Sequence, residues 1–310
     1  MEKIIKSKAL VLSILMFVVS SSIFALEPIK YLDENGEEQT VTDYKILTGE
    51  EASLTRGWYV VQGQIKFNTP NWSVISVLGN VNLVLMDDCE CIVNGSGGFD
   101  GIDFGSKMKI YSQSHGEHEG KMTFRVVDLF CFHMWEMGIY GGSYYLDGCK
   151  DQCAGFAANE VILKNCKVEI DAYDGFWGNY FTIDGVDLSM KVRKVGMSGG
   201  KLTIKNSDRM TKMELSCSYN KLTEPVELSD GTKIIIAGET YTGSIPVDVI
   251  NGVTYAGTPS EKNNTVKVED ISDDVSPKNS GWYTLNGIRL DGKPTSAGIY
   301  IHDGRKVIVK

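Results

Sequence analysis

Residues Met137 to Arg209 contain a short motif that occurs four times: a glycine, a bulky apolar residue, two variable residues, and then glycine or asparagine. The four copies read GIYGG (138–142), GFAAN (155–159), GFWGN (175–179) and GMSGG (196–200). Each runs into a second half with leucine or isoleucine at positions 146, 163, 183 and 204. Both halves recur at intervals of 17, 20 and 21 residues. Repetition at such a period predicts stacked units that bury their apolar faces against one another.

The segments around this repeat are typical of short strands. From Trp58 onwards, runs of four to five β-branched and aromatic residues alternate with Gly, Asn, Asp or Pro, and a helical period of 3.6 residues is absent. A meander sandwich would also give short strands, but it has no reason to repeat the same corner residues, whereas a coil must turn alike in every unit. The sequence therefore predicts an all-β fold, a parallel β-helix. Two columns should point inward: Ile139, Phe156, Phe176 and Met197, and Leu146, Leu163, Ile183 and Ile204.

The sequence divides into six predicted segments. Residues 1–25 are predicted to be a signal peptide, since Lys3, Lys6 and Lys8 precede an apolar run that ends before a small residue, Ala25; the alternative is a retained anchor, for which the run is short. The others are an N-terminal cap (26–57), the β-helix (58–207), C-terminal cap strands (208–256), a linker rich in Pro, Ser, Asn and Asp (257–279), and a small β unit (280–310).

Charge and compartment narrow the range of partners. The net charge is −9, and loss of the signal peptide changes it to about −11. An acidic chain is a poor electrostatic partner for nucleic acid or anionic lipid, and no stretch after the signal peptide is apolar enough to span a bilayer. We expect a protein that is secreted or held at the outer cell surface.

The chain contains seven cysteines, and their spacing fits no zinc motif. Cys149 and Cys166 occupy equivalent positions in successive repeats, so a disulfide between neighbouring turns is one interpretation. A ladder of small buried thiols is the other, because a free cysteine packs as a small apolar side chain.

Aromatic side chains are the best indication of a binding site. Sugars stack on exposed aromatic rings, and a solenoid aligns residues from neighbouring turns into a strip. The candidate ligand-binding residues are Trp135, Tyr140, Trp177 and Tyr180; Tyr144 and Phe176 are expected to fill the interior of the coil.

Acidic pairs are the candidates for chemistry. Glycoside hydrolysis needs two carboxylates on either side of the scissile bond, and clustered aspartates would also suit calcium. Aspartate is equally favoured in turns for its backbone hydrogen bonds, and no calcium loop of the Asp-x-Asp-x-Asp-Gly type is present. The pairs are Asp100 with Asp103, Asp171 with Asp174, and Asp184 with Asp187. We identify no catalytic residue and no metal ligand among them.

Two parts of the chain resemble known secreted proteins. Residues 57–114, with WYVV at 58–61 and GNVNLVL at 79–85, and residues 206–232 with 241–243 resemble β-helix proteins of Bacteroides- and Prevotella-type bacteria that are called carbohydrate-binding-domain-containing or adhesin-like. Residues 282–310 resemble the C-terminal sorting domain of type IX secretion cargo. The resemblance implies a right-handed coil, export through that machinery, and a surface location.

Three functions are compatible with these features. The leading hypothesis is an exported, non-catalytic β-helix protein that binds polysaccharide or cell-surface glycans. The alternatives are a polysaccharide lyase or hydrolase on the same scaffold, and a structural surface component.

Overall fold

The computed structural model describes residues 27–148, 153–229, 231–236, 239–252, 267–268, 282–284, 289–290, 292–295, 298–302 and 305–309. These residues are almost entirely β structure, and their parallel strands stack into a β-solenoid of about seven turns. The predicted fold class is confirmed. The chain divides into two compact units, Met1–Glu269 and Asp270–Lys310. The predicted signal peptide lies outside the described residues.

The first unit begins with a hairpin and then enters the coil. Strands β1 (Ile29–Leu32) and β2 (Glu38–Val41) pair antiparallel, and β3 (Lys45–Ile46) adds in parallel to the first coil strand. The coil strands are β4 (Ser53–Val61), β5 (Gln64–Thr69), β6 (Ile75–Leu85), β7 (Glu90–Gly95), β8 (Phe99–Asp100), β9 (Lys107–Ser112), β10 (Lys121–Val126), β11 (Phe132–Tyr140), β12 (Ser143–Asp147), β13 (Ala154–Lys164), β14 (Lys167–Ala172), β15 (Asp174–Trp177), β16 (Tyr180–Asp184), β17 (Asp187–Val192), β18 (Val195–Gly199), β19 (Lys201–Lys205), β20 (Lys212–Ser216), β21 (Tyr219–Leu222) and β22 (Val226–Leu228). A short 3-10 helix, Ile102–Phe104, interrupts the early coil.

Each turn of the coil has three strand segments, which form three faces. Face 3 is a seven-stranded parallel sheet of β5, β7, β10, β12, β14, β17 and β20. Face 1 contains the first parts of β4, β6, β11 and β13 together with β8, β15, β18 and β21. Face 2 contains the second parts of those four long strands together with β9, β16, β19 and β22. The division is visible in the pairing, since β13 pairs with β15 over its first part and with β16 over its second part.

Parallel pairing continues beyond residue 207, where we predicted the coil to end. β20 pairs with β17, β21 with β18, and β22 with β19. Closure follows with β25 (Ser244–Ile245), which pairs antiparallel with β22, and with helix α1 (Val247–Gly252) against β21. Strands β23 (Lys233–Ile236), β24 (Glu239–Thr242) and β26 (Lys267–Val268) form a separate antiparallel sheet. The described part of the predicted linker is therefore the strand β26.

The second unit is a small antiparallel sheet. Its strands are β27 (Trp282–Thr284), β28 (Arg289–Leu290), β29 (Gly298–His302) and β30 (Arg305–Val309), in the spatial order β28-β27-β29-β30. This is the small C-terminal β unit that the sequence predicts.

The interior of the coil is filled by aligned columns of apolar side chains. On face 1, Phe99, Phe132, Phe156 and Phe176 stack with ring centroids 6.0, 5.3 and 5.0 Å apart and interplanar angles of 15° or less. These separations match the spacing of neighbouring strands, about 4.8 Å, so the backbone repeat itself brings the rings into contact. Burial of each ring contributes about 2 kcal/mol.

The eight residues that we predicted to point inward are all buried, but their predicted alignment is wrong in two places. Ile139 aligns with Leu163 on face 2 instead of with Phe156, and Leu146 belongs to face 3, between Phe124 and Ile170. Along the face-2 column from Leu83 to Leu228, equivalent residues are 20 to 29 residues apart. Corner loops of different length separate the strands, so a fixed motif interval does not mark one column.

The repeated glycines are explained by close approach of neighbouring turns. Gly155, Gly175 and Gly196 lie within strands, and none has a positive φ. A Cβ atom on Gly175 would overlap the Gly196 carbonyl oxygen and the Met190 sulfur. These three glycines thus allow backbone and core to pack. The unusual backbone angles that equivalent corners need occur at other motif positions, since Gly141, Gly142, Asn165 and Gly185 have positive φ angles.

Cysteines contribute to the same core. Cys89, Cys91, Cys131 and Cys166 carry free thiols that are almost fully buried. Burial raises the pKa of the Cys89 thiol to about 11, which keeps it protonated at neutral pH. The buried-thiol interpretation holds for these residues; Cys149 lies outside the described part of the chain.

Candidate functional site

The exposed aromatic residues meet at the corner where face 1 passes into face 2. In β11 this corner is Trp135, because Met134 pairs with Ala158 and Glu136 with Glu160, which places Trp135 beside Asn159. In the following turn Asn179 occupies the same position. Its backbone N–H donates to the backbone carbonyl oxygen of Asn159 at 3.0 Å. We call Trp135, Asn159, Trp177, Asn179 and Tyr180 the corner strip. It covers three successive turns of the coil.

Strand alternation explains why the aromatic residues of the strip face solvent. Phe176 and Phe181 point into the core and pack edge to face, with centroids 5.7 Å apart. Their neighbours Trp177 and Tyr180 must therefore point outward. The exposed fractions of Trp135, Trp177 and Tyr180 are 46%, 45% and 53%, which is high for side chains of this size. These three predicted ligand-binding residues lie at one corner.

Tyr140, the fourth predicted ligand-binding residue, is buried and does not belong to the strip. It lies near the end of face 2, where its ring stacks on Tyr111 at 5.4 Å, and only 7% of its surface is exposed. Burial raises the pKa of Tyr140 to about 12. The prediction for Tyr140 is corrected here: it points outward from its strand, but its side chain packs among neighbours and is not available to a surface ligand.

The covering comes from the N-terminal hairpin, which packs on the outside of face 2. Tyr31 of β1 contacts the rings of Trp58 and Tyr111 at 4.9 and 5.0 Å. Glu34 in the hairpin turn accepts hydrogen bonds from Lys109 Nζ at 2.6 Å and from the Tyr111 hydroxyl at 2.9 Å. The segment that we predicted as an end cap therefore also covers one side of the coil.

Two asparagines form the polar part of the strip. Asn179 Nδ2 donates to Asn159 Oδ1 at 2.8 Å across neighbouring turns. A side-chain amide has two donor hydrogens and an acceptor oxygen with two lone pairs, and this bond uses one group on each residue. Because the pair lies at the surface, the other amide groups face solvent. Aromatic faces beside free amide groups suit a ligand that has both apolar C–H faces and hydroxyl groups.

An Asp–His pair borders the strip on face 1. Asp100, His133, Ala157 and Trp177 are successive residues of one outward column. His133 Nδ1 lies 3.3 Å from Asp100 Oδ1, and Phe130 stacks on the imidazole at 4.6 Å. Burial disfavours ionisation of Asp100, but the hydrogen bond and charge of His133 outweigh it and hold the pKa of Asp100 below its usual value. Sequence reasoning assigned His133 no role, although it is two residues before Trp135.

Carboxylates line the other side of the strip. Glu136 and Glu160 are register neighbours at the start of face 2, and the next residue in that column is Tyr180. Glu136 accepts from Lys107 Nζ at 2.6 Å. Glu160 has no ion pair among the described residues.

The other acidic candidates have structural surroundings. Asp174 and Asp184 are buried, and each accepts a backbone N–H from a neighbouring turn, from Val195 at 2.9 Å and from Ser207 at 2.8 Å. Asp171 and Asp187 lie in the strands of face 3, away from the corner strip. Within the described residues, no group of three or more His, Cys, Asp or Glu side chains is arranged to hold a metal ion.

Fold and site together define a β-solenoid protein with an uncovered aromatic corner. Comparison with protein-family models, with curated proteins and with solved structures finds no match. In the described part of the chain, no helix is long and apolar enough to cross a membrane.

Proposed function

We propose that this protein is an exported, non-catalytic β-solenoid that binds glycans through the corner strip. The observation that carries the proposal is the convergence of Trp135, Trp177 and Tyr180, each about half exposed, around two hydrogen-bonded asparagines on three successive turns. Pyranose rings present C–H groups that pack against the negative face of an aromatic ring. Their hydroxyl groups hydrogen-bond to amides.

The rigidity of the strip favours binding. Trp177 and Tyr180 are next to Phe176 and Phe181, whose rings are locked in the core, and every strand of the corner is paired on both sides. Little conformational freedom remains to be lost when a ligand binds, which lowers the entropic cost of association.

Export is the second part of the proposal. The apolar N-terminal segment, the resemblance to adhesin-like β-helix proteins and the sorting-like tail support a secreted or surface-attached protein. Its partners would be the secretion machinery, through the tail, and a polysaccharide or cell-surface glycan, through the strip. Residues 1–25 would be removed and residues 26–310 exported.

A glycan array with the purified chain, residues 26–310, tests the binding function. We expect retention of a restricted set of glycans and its loss in Trp177→Ala. Trp72→Ala is the matched control, since Trp72 is 74% exposed but lies in the loop between β5 and β6. Absence of binding across the whole array would contradict the proposal and favour a structural role. Release of reducing ends or unsaturated products from bound polysaccharides would instead indicate an enzyme.

A further inference from the structure

The charges around the corner strip determine which glycans it can accept. Besides the Asp100–His133 pair, four carboxylates and two ammonium groups lie near the strip: Lys107, Glu136 and Glu160 precede Tyr180 in its outward column, and Lys201, Glu224 and Glu227 lie one or two turns beyond it. Both lysines are already bonded to carboxylates, Lys107 to Glu136 at 2.6 Å and Lys201 to Glu227 at 2.8 Å. The strip therefore has excess negative charge, and among the described residues a cation outside these ion pairs is Lys221, two turns beyond Trp177 in the same outward column.

Glu160 is the carboxylate that a ligand on the strip would meet. It lies directly beside Asn159 and pairs in register with Tyr180. Lys107 neutralises Glu136, the neighbour of Glu160 in the same column, but Glu160 has no ion pair among the described residues. A carboxylate or sulfate bound over Asn159 would face this charge at short range, in surroundings where the aromatic rings exclude part of the water.

The spacing of the strip determines the shape of the ligand. Trp135 and Trp177 are two turns apart, which corresponds to roughly 10 Å along the coil axis. Asn159 lies in the turn between them, and Asn179 and Tyr180 lie in the turn of Trp177. One monosaccharide cannot contact both tryptophans. Trp177 is in register with Ala157, two residues before Asn159, so a linear chain that contacts each tryptophan in turn runs along the coil at a slant to its axis.

We infer that the corner strip takes a linear, uncharged polysaccharide that runs along the coil, and that Glu160 excludes acidic glycans. This inference rests on the proposed glycan-binding function and specifies its ligand class. Uronate-rich or sulfated polymers would be repelled by Glu160, and single sugars would bind too weakly to be retained.

Matched polymer pairs test the charge selectivity, because each pair shares a backbone and differs in charge. We suggest hydroxyethylcellulose with carboxymethylcellulose, methyl-esterified with de-esterified homogalacturonan, and dextran with dextran sulfate, measured by affinity electrophoresis at low and physiological salt. We expect the neutral member of any bound pair to bind at least about tenfold more tightly. Relative to the neutral member, Glu160→Gln should strengthen binding of the anionic member roughly threefold, and Glu160→Lys about tenfold.

Glu214→Gln is the control for net charge, since Glu214 is an exposed carboxylate on face 3 and its removal changes the overall charge equally. Glu214→Gln should leave the ratio of the affinities for the neutral and anionic polymers as in wild type. Preference for an anionic polymer that Trp177→Ala abolishes would overturn the inference and leave the glycan-binding function intact. An equal change in affinity for the anionic polymer in Glu160→Gln and Glu214→Gln would also overturn it. Failure to bind any polymer pair or array glycan would contradict the binding function itself.

Discussion

Two outward-facing aromatic groups of the same coil have different surroundings. On face 2, Tyr111 and Tyr140 belong to a stacked column that the N-terminal hairpin covers, and both are less than one-tenth exposed. At the corner between faces 1 and 2, Trp135 and Trp177 have no such cover and are nearly half exposed. Both groups are aromatic and point outward from their strands. The difference teaches that a covering segment, contributed from elsewhere in the chain, decides whether an outward aromatic residue stabilises the fold or remains available to a ligand.

Tyr140→Ala gives the largest expected effect and tests the covered group. Removal of the buried ring leaves a cavity beside Tyr111, so the free energy of unfolding should fall by about 3 kcal/mol. Urea denaturation followed by tryptophan fluorescence measures it. Glycan affinity of the folded protein should stay unchanged. Tyr140→Phe, which keeps the ring, should cost less than about 1 kcal/mol. Weaker glycan binding with unaltered stability would instead place Tyr140 in the binding surface.

Trp177→Ala tests the open group and should have the opposite profile. An exposed ring that packs on ligand acts as a hot spot, so affinity for a bound glycan should fall about thirtyfold, or about 2 kcal/mol. Because the side chain is 45% exposed, the free energy of unfolding should change by no more than about 0.5 kcal/mol. Isothermal titration calorimetry and urea denaturation on the same samples separate the two quantities. A large loss of stability would show that Trp177 is a packing residue.

Much of the fold could be predicted from the sequence because the coil imposes the same requirement in every turn. Phe156, Phe176 and Met197 follow from strand alternation and the repeated glycine. Ile139 and Leu146 were misplaced because all three faces show the same alternation, and corner loops of variable length separate them. Only strand pairing, a long-range property, distinguishes the faces.

The site was predictable to a smaller extent. Alternation correctly indicates that Trp177 and Tyr180 point outward, since their neighbours Phe176 and Phe181 fill the core. The same reasoning fails for Tyr140, because its ring packs on Tyr111, which is covered in turn by Tyr31, and no local pattern records these long-range contacts. The Asp100–His133 pair was missed for a similar reason: 33 residues separate its members, and the register of neighbouring turns brings them together.

Glu34→Gln should weaken the contact between the N-terminal hairpin and face 2, and so tests the covered group of tyrosines. The Glu34 carboxylate bonds both Lys109 and the Tyr111 hydroxyl, at 2.6 and 2.9 Å. The ion pair is partly exposed, so solvent screening limits the expected loss to about 1 kcal/mol. Native-state hydrogen exchange should show faster exchange in β1 and β2 while face 3 stays protected. Glycan affinity should not change, since the hairpin contacts face 2 and not the strip. Uniform acceleration of exchange along the coil would contradict a local cover.

Asp174→Asn should have the smallest effect. It tests whether a buried carboxyl group holds the strand that carries Trp177. Asp174 begins the strand that ends in Trp177, and its Oδ1 accepts the Val195 N–H of the next turn at 2.9 Å. Burial raises the pKa of Asp174 above the ordinary value of 3.8, so the folded state holds this proton more tightly than the unfolded state does. The protonated Asp174 carboxyl therefore adds to the free energy of unfolding below pH 3.8. This contribution is lost as the pH rises through 3.8 to the folded-state pKa. Asparagine keeps the acceptor oxygen but cannot ionise, so the melting temperature of the variant should lose this decline with pH, relative to wild type measured between pH 3 and 7. Because the hydrogen bond to Val195 persists, glycan binding through Trp177 should be equal in the two proteins at neutral pH. An unchanged pH profile would show that the carboxylate of Asp174 is solvated in the folded protein, and the strand beneath Trp177 would then be less tightly packed than the buried phenylalanine column beside it.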